Sequence, residues 1–377
     1  MKSPNSCSHA PEPLDRPPAQ KTPASRKRRA PAGALDHHII PPEPRMRLIG
    51  LGALLLMLVL VSFGIGRYPV SPDTVLAILA GKLFSIDPFW TPETEAVVMG
   101  IRLPRILAAL LVGAALSVSG AAYQGLFRNP MVSPGILGVS AGASLGAALA
   151  ILLGHGMPGI QGLAFAGGLA AVGATWAIGV TIGRQGDPVL VMVLAGIVIG
   201  TLFTALVSLV KFVADPYNTL PAITFWLMGS LASVDLPDLS IAALPILAGL
   251  AGLLAMSWTL NVLCFGDEEA RALGLETGRL RFVVILCATL VSAAAVAIAG
   301  IIGLVGLIVP HLARMLVGPD HRVLLPVSTL LGAGFLLAVD DLARSLFEVE
   351  VPLGIVTSII GAPFFLYLMN RSRKAWI

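Results

Sequence analysis

Ten predominantly apolar runs dominate this sequence, at 46–66, 104–125, 134–154, 161–182, 188–212, 238–258, 281–299, 301–317, 323–345 and 352–370. A helix crossing a hydrocarbon core about 30 Å thick needs roughly 20 such residues. Composition closes the alternatives: 56% of the 377 residues are hydrophobic and 12% are charged, against about 25% charged in a soluble domain. That charge cannot coat a globule of this size. A soluble enzyme, a nucleic-acid binder and a disordered scaffold are excluded. The expected fold class is an all-α integral membrane protein of ten transmembrane helices.

Where the charge lies matters more than its total. Residues 1–47 hold nine Lys/Arg and four Asp/Glu, and the other 330 hold sixteen and seventeen, so the net +4 belongs to the tail. Ten of the 28 prolines also lie there, beside the basic run Arg26-Lys-Arg-Arg29. Such a segment cannot bury a core and reads as disordered. The expected domains are therefore a basic, Pro-rich cytoplasmic tail, 1–45, and a ten-span membrane domain, 46–372. No small-residue cleavage site follows Leu48–Phe63, which makes this run a retained first span. With the N-terminus inside, twelve Lys/Arg near span ends fall on the inner side, including Arg128, Arg184, Arg271, Arg314, Arg373 and Lys374. Six fall outside: Arg67, Lys82, Arg102, Arg105, Lys211 and Arg344. The excess places both termini in the cytoplasm.

Local signals mark several elements. Ser133-Pro134 and Asp187-Pro188 each put a capping residue before a proline suited to the first helical position. Gly138, Gly142 and Gly146, and again Gly196 and Gly200, form small-residue stripes that let helices approach closely in lipid. The turn at Ala299-Gly300 separates the seventh and eighth runs. Ser71-Pro72 opens a short helix with Val75, Ile78 and Leu79 on one face, and Ala222–Leu231 forms another short helix near Trp226.

Chemistry-bearing patterns are scarce. There is no GxxxxGK[ST] phosphate loop, HExxH or GxSxG. The three cysteines, Cys7, Cys264 and Cys287, are too scattered for a disulfide framework or a metal site. No catalytic, cofactor or metal residue is expected. The spans also lack the buried ionisable groups an ion-coupled secondary transporter needs. Asp340, Asp341 and Arg344 come nearest, reading as an interfacial cluster with Asp340 and Arg344 paired at i,i+4. One inner segment differs. In 266–281, seven of sixteen residues are charged, with Asp267 placed to cap a short helix carrying Ala270, Ala272 and Leu273 and Gly274 placed to end it. A structured loop of this length between spans is commonly functional, and this one implies a partner in the water.

Several longer motifs then fall into one order. Gly120-Ala-Ala-Tyr-Gln-Gly-Leu-Phe-Arg-Asn-Pro130, with Ser133-Pro-Gly-Ile-Leu-Gly-Val-Ser-Ala-Gly-Ala143, resembles the signature of FecCD-type permeases. These are the membrane subunits of ABC importers for iron-siderophores, haem and vitamin B12. Arg102-Leu-Pro-Arg105, Gly266–Gly274, Gly303–Arg314, Asp320-His-Arg322, Leu353–Thr357 and Gly361–Phe365 extend the resemblance over residues 46–370. It implies a ten-span, tightly packed bundle, paired as a homodimer in a bacterial inner membrane, carrying an iron chelate or cobalamin inward. Molybdate-type oxyanions are a further possibility within the family. A cytoplasmic ATPase dimer would seat on Asp267, Glu268, Glu269, Ala270, Arg271, Leu273 and Gly274. A periplasmic or lipid-anchored binding protein would dock on Arg102, Arg105 and Arg344. One departure is Glu348-Val-Glu350-Val-Pro352, where the family has Pro-x-Glu-Leu-Pro. It sets two carboxylates near Arg344, which they could neutralise. Partners are thus protein and membrane lipid, without nucleic acid, and no cofactor is implied.

Overall fold

The computed structural model describes residues 44–81, 84, 87–183, 188–346 and 349–372. The tail up to Glu43 lies outside the described residues, as do Lys82, Arg184, Asp187, Glu348, Arg373 and Lys374. All regular elements among the described residues are helical. The chain opens with α1 (Pro44–Gly64) and the short α2 (Pro72–Gly81). Next, α3 (Pro92–Glu95) runs through a π-helical stretch, Ala96–Arg102, into α4 (Leu103–Leu126). A 3₁₀ turn at Pro134–Leu137 precedes α5 (Val139–Leu152), α6 (Met157–Ile182) and α7 (Pro188–Val213). Then come α8 (Thr219–Met228), α9 (Leu236–Ala255), α10 (Ser257–Phe265) and α11 (Asp267–Ala272). The last four are α12 (Thr277–Ala299), α13 (Val305–Val317), α14 (His321–Ser345) and α15 (Leu353–Ser372).

Each of the ten apolar runs holds a helix. Seven helical stretches are long and apolar enough to cross a membrane: α1, α3 through α4, α6, α7, α9, α12 and α14. The other three runs hold the shorter apolar helices α5, α13 and Leu353–Tyr367 of α15. Two of these are short for a visible reason. Pro134 opens only the 3₁₀ turn, the Ser133 side chain makes no capping bond, and Gly138 at φ +88° re-aims the chain before α5 begins. The expected start at Ser133-Pro134 therefore moves to Val139. Ahead of α13, Gly300 and Leu304 both hold positive φ. The separation at Ala299-Gly300 is where the sequence places it. The short helix after Ser71 also forms, with Val75 and Ile78 buried.

Small residues hold the bundle together. On α4, a Cβ at Gly113 would meet the backbone of Gly332 in α14, and one at Gly120 would meet that of Gly306 in α13. Gly142 and Gly146 of α5 lie as closely on Gly167 and Leu163 of α6. Of the stripe Gly138, Gly142, Gly146, only the last two pack helix on helix. Most of α4 is enclosed, including Tyr123, whose hydroxyl lies 3.0 Å from that of Thr289 on α12. The bundle has two chemically distinct ends. At one, the C-termini of α4 and α13 meet the start of α14 and the α10–α11 segment. At the other, the start of α4 meets the C-termini of α1 and α14.

Candidate functional site

At the first end, α11 forms because glycines release the chain on both sides. Gly266 precedes it at φ +134°, and Gly274 follows at φ +79°. The Gly274 N–H donates to Arg271 O at 2.9 Å and the Leu275 N–H to Ala270 O at 3.1 Å. These two bonds close the helix as a glycine-terminated cap does. So Gly274 ends the helix as its residue type predicts, while Asp267 is not the cap. Gly266 holds that position, and the Asp267 carboxylate accepts from Arg281 Nη2 of α12 at 2.8 Å. Ala270 is fully buried and seats the helix on the bundle. Glu268, Glu269, Arg271, Leu273 and Gly274 are exposed. Glu268 and Glu269 have no ion-pair partner among the described residues. The loop thus presents a firmly held helix with two uncommitted carboxylates and, in Leu273 and Phe265, two exposed apolar side chains.

Beside α11 opens a cavity of about 670 Å³ lined by Gln124, Arg128, His311, Arg314, Asp320 and His321, among others. Gln124 Oε1 accepts from Arg314 Nη2 at 3.1 Å. Asn261 accepts from the His321 N–H at 2.8 Å and donates to Asp320 Oδ1 at 2.6 Å. The backbone N–H of Arg322, with that Asn261 amide, holds the Asp320 carboxyl below the usual carboxylate range. Arg128 adopts φ +49°, an uncommon conformation for a residue with a side chain. Gln124, Arg128 and Arg314 lie inside the motifs quoted above, but nothing in their spacing announces that the ends of α4, α10, α13 and α14 converge on one cavity.

At the opposite end the three arginines do come together, though not at the surface. Arg102, Arg105 and Arg344 are 4%, 6% and 7% exposed. Arg105 grips Asp340 with two nitrogens, Nε to Oδ2 and Nη2 to Oδ1, each at 2.9 Å. Its Nη1 reaches Glu350 Oε1 at 2.9 Å. Arg344 pairs with Asp341 and donates to Ser62 O at 2.8 Å, while Ser62 Oγ donates to Asp341 at 2.7 Å. Arg102 donates to the carbonyls of Phe63 and Tyr68. The expected i,i+4 pair of Asp340 and Arg344 forms, Nε to Oδ2 at 3.8 Å, while Arg105 holds the same carboxylate more closely. One expectation changes here. Glu350 neutralises Arg105 rather than Arg344, while Glu348 lies outside the described residues. Among the described residues, three cations therefore face three carboxylates, and the cluster is balanced.

Comparison with known proteins agrees with this geometry. The FecCD transport family model matches residues 54–371. The molybdate import system permease protein of Haemophilus influenzae is 41% identical over 327 residues, covering 87% of this chain and 96% of that protein. The cobalamin import system permease protein of Halobacterium salinarum is 42% identical over 339 residues, covering 88% and 90%. The hemin transport system permease protein of Yersinia pestis is 38% identical over 344 residues, covering 88% and 97%. A solved inward-facing structure of a metal-chelate type ABC transporter superposes with a TM-score of 0.77 at 40% identity, covering 87% of this chain and 99% of that one. The chain belongs to the FecCD transport family, as a membrane permease of an ABC importer and not an enzyme.

Proposed function

We propose that this chain, as a homodimer, carries a metal chelate (ferric siderophore, haem) or cobalamin across a bacterial inner membrane, driven by a separate cytoplasmic ATPase dimer. The observation that carries the energy-coupling reading is α11, anchored through Ala270 and Asp267–Arg281 while Glu268 and Glu269 stay free. A lever must be rigid on the side that transmits and adhesive on the side that receives. Here the anchored face belongs to the bundle, and the free face suits a basic groove on a partner. The chain has no phosphate loop of its own. A second cargo, a molybdate-type oxyanion, is favoured by the 41% identity to the Haemophilus permease over 96% of its length.

The binding protein docks at the arginine end. Glu350, with 39% of its side chain exposed, is the accessible member of the cluster. A partner carboxylate can reach Arg105 by exchanging with Glu350, while Arg102 and Arg344 hold the helix ends beneath it.

The test reconstitutes the permease with its ATPase and binding protein in liposomes and measures ATP-driven uptake of labelled haem, cobalamin and molybdate. Glu268→Lys with Glu269→Lys should abolish uptake of whichever cargo the wild type carries and leave the bundle assembled. Truncating a desolvated charge pair costs about 2–5 kcal/mol of binding, enough to release the ATPase. Unchanged uptake and unchanged ATPase association in the double variant would sink the coupling assignment.

A further inference from the structure

An apolar groove of about 450 Å³ runs between α1, α13 and α14, lined by Leu51, Leu54, Leu58, Leu312, Leu331 and Phe335, among others. Gly334 opens it. A Cβ there would lie 3.5 Å from Leu55 Cδ1 and 3.8 Å from Leu58 Cδ2, so any larger side chain would enter the space. The lining residues on α1 run from Leu51 to Val61. At 1.5 Å per residue that is about 15 Å, half the thickness of a hydrocarbon core. The groove therefore has the depth of one leaflet.

Its mouth is cationic. Arg47 lies four residues before Leu51, one turn nearer the α11 end on the same helical face. It donates to the carbonyl of Leu316, which lies four residues beyond Leu312 of the groove wall. The Arg47 guanidinium thus spans α1 and α13 directly below the apolar slot. Leu48 and Leu51 pack against the cluster formed by Ala313, Leu324 and Val327, with Val323 alongside. That contact brings the first turn of α14, with the exposed Arg322, to the level of Arg47. The acidic group facing these cations is Asp320, whose Oδ1 accepts from Asn261 and from the Arg322 N–H. Among the described residues, Arg47 and Arg322 against that one carboxylate leave the mouth positive.

We propose that this groove is a binding site for an anionic phospholipid, with one acyl chain between α1, α13 and α14 and the phosphate at Arg47 and Arg322. A second copy of the chain would need counter-charges to cover this mouth, whereas a lipid phosphate brings its own at the right depth. Basic pockets between membrane helices on the cytoplasmic side recognise anionic headgroups in this way. Assigning the site to the inner leaflet rests on the proposed orientation; the site itself does not.

The test uses the full chain in nanodiscs of equal phosphatidylglycerol and phosphatidylcholine, symmetric so that sidedness and ATPase coupling play no part. Lipids retained on gentle extraction are counted by native mass spectrometry. Wild type should retain phosphatidylglycerol above its bulk fraction. Arg47→Ala with Arg322→Ala should lower that enrichment by about fivefold per arginine removed. Gly334→Leu should lower retention with the arginines intact. Equal retention of the two lipids by wild type, or enrichment unchanged in the arginine double variant, would overturn the proposal. So would a disulfide between two copies carrying Leu54→Cys, because the groove would then be a protein interface.

Discussion

At the scale of single residues, Arg105 decides how the arginine end behaves. Its fork matches the Asp340 carboxylate with two parallel bonds, and Asp340 is completely enclosed. Removing the guanidinium would leave that carboxylate buried without its main counter-charge, and breaking such a pair costs about 3–5 kcal/mol. Arg105→Ala should therefore show a clear loss in thermal unfolding measured in detergent. Arg105→Lys should recover only part, because an ammonium cannot bind two oxygens in parallel. Arg105→Ala with Asp340→Ala should cost less than the two single changes added together, since they share one interaction. Additive losses would show that the pair does not hold the helices. The same proteins separate anchoring from docking. If Arg105→Lys weakens binding-protein affinity at a temperature where it is as fully folded as wild type, the guanidinium meets the partner by exchange with Glu350.

At the scale of elements, close approach between helices is set by a few glycines that sequence spacing cannot tell apart. Gly196 and Gly200 stand four residues apart on α7 and read as one stripe. A Cβ at Gly196 would run into the carbonyl of Ile136, whereas one at Gly200 would find its nearest atom, Gly138 Cα, at 3.9 Å. The first contact is with backbone, which cannot rotate away; the second is ordinary van der Waals distance. Gly196→Ala should destabilise the protein by about 1–3 kcal/mol, the range for overpacking a filled site. Gly200→Ala should be neutral or slightly stabilising, because alanine favours a helix over glycine by about 1 kcal/mol. Matched unfolding curves for the two variants would refute the difference. The α11 loop follows the same logic in the other direction. Its charges and its terminal Gly274 are legible from composition and turn chemistry. That Asp267 bonds to Arg281 rather than capping the helix requires the return of α12, fourteen residues later.

At the scale of the whole molecule, the two ends of the bundle should lie on opposite sides of the membrane, with α11 inside. A cysteine placed at Glu268 should resist an impermeant thiol reagent applied to spheroplasts and react once the membrane is opened. A cysteine at Asn218, in the α7–α8 connection, should react from outside at once. Labelling of position 268 from outside would reverse the orientation on which the function rests. Much of this architecture was readable in advance. A helix in each of the ten apolar runs, the turn at Ala299-Gly300 and the α11 loop follow from apolar run length, glycine and local charge. Those properties act over one or two helical turns, so a linear reading captures them. Membership of the FecCD transport family was readable too, because it is carried by contiguous motifs. What the sequence alone left open needed distant residues in one frame. Arg105 finds Asp340 and Glu350 across more than two hundred positions, and that pairing turns three expected surface cations into a buried, neutral joint. The cavity beside α11 and the lipid-deep groove on α1 likewise exist only where several helices converge. Charge balance and enclosed volume are properties of that convergence, and no single segment contains them.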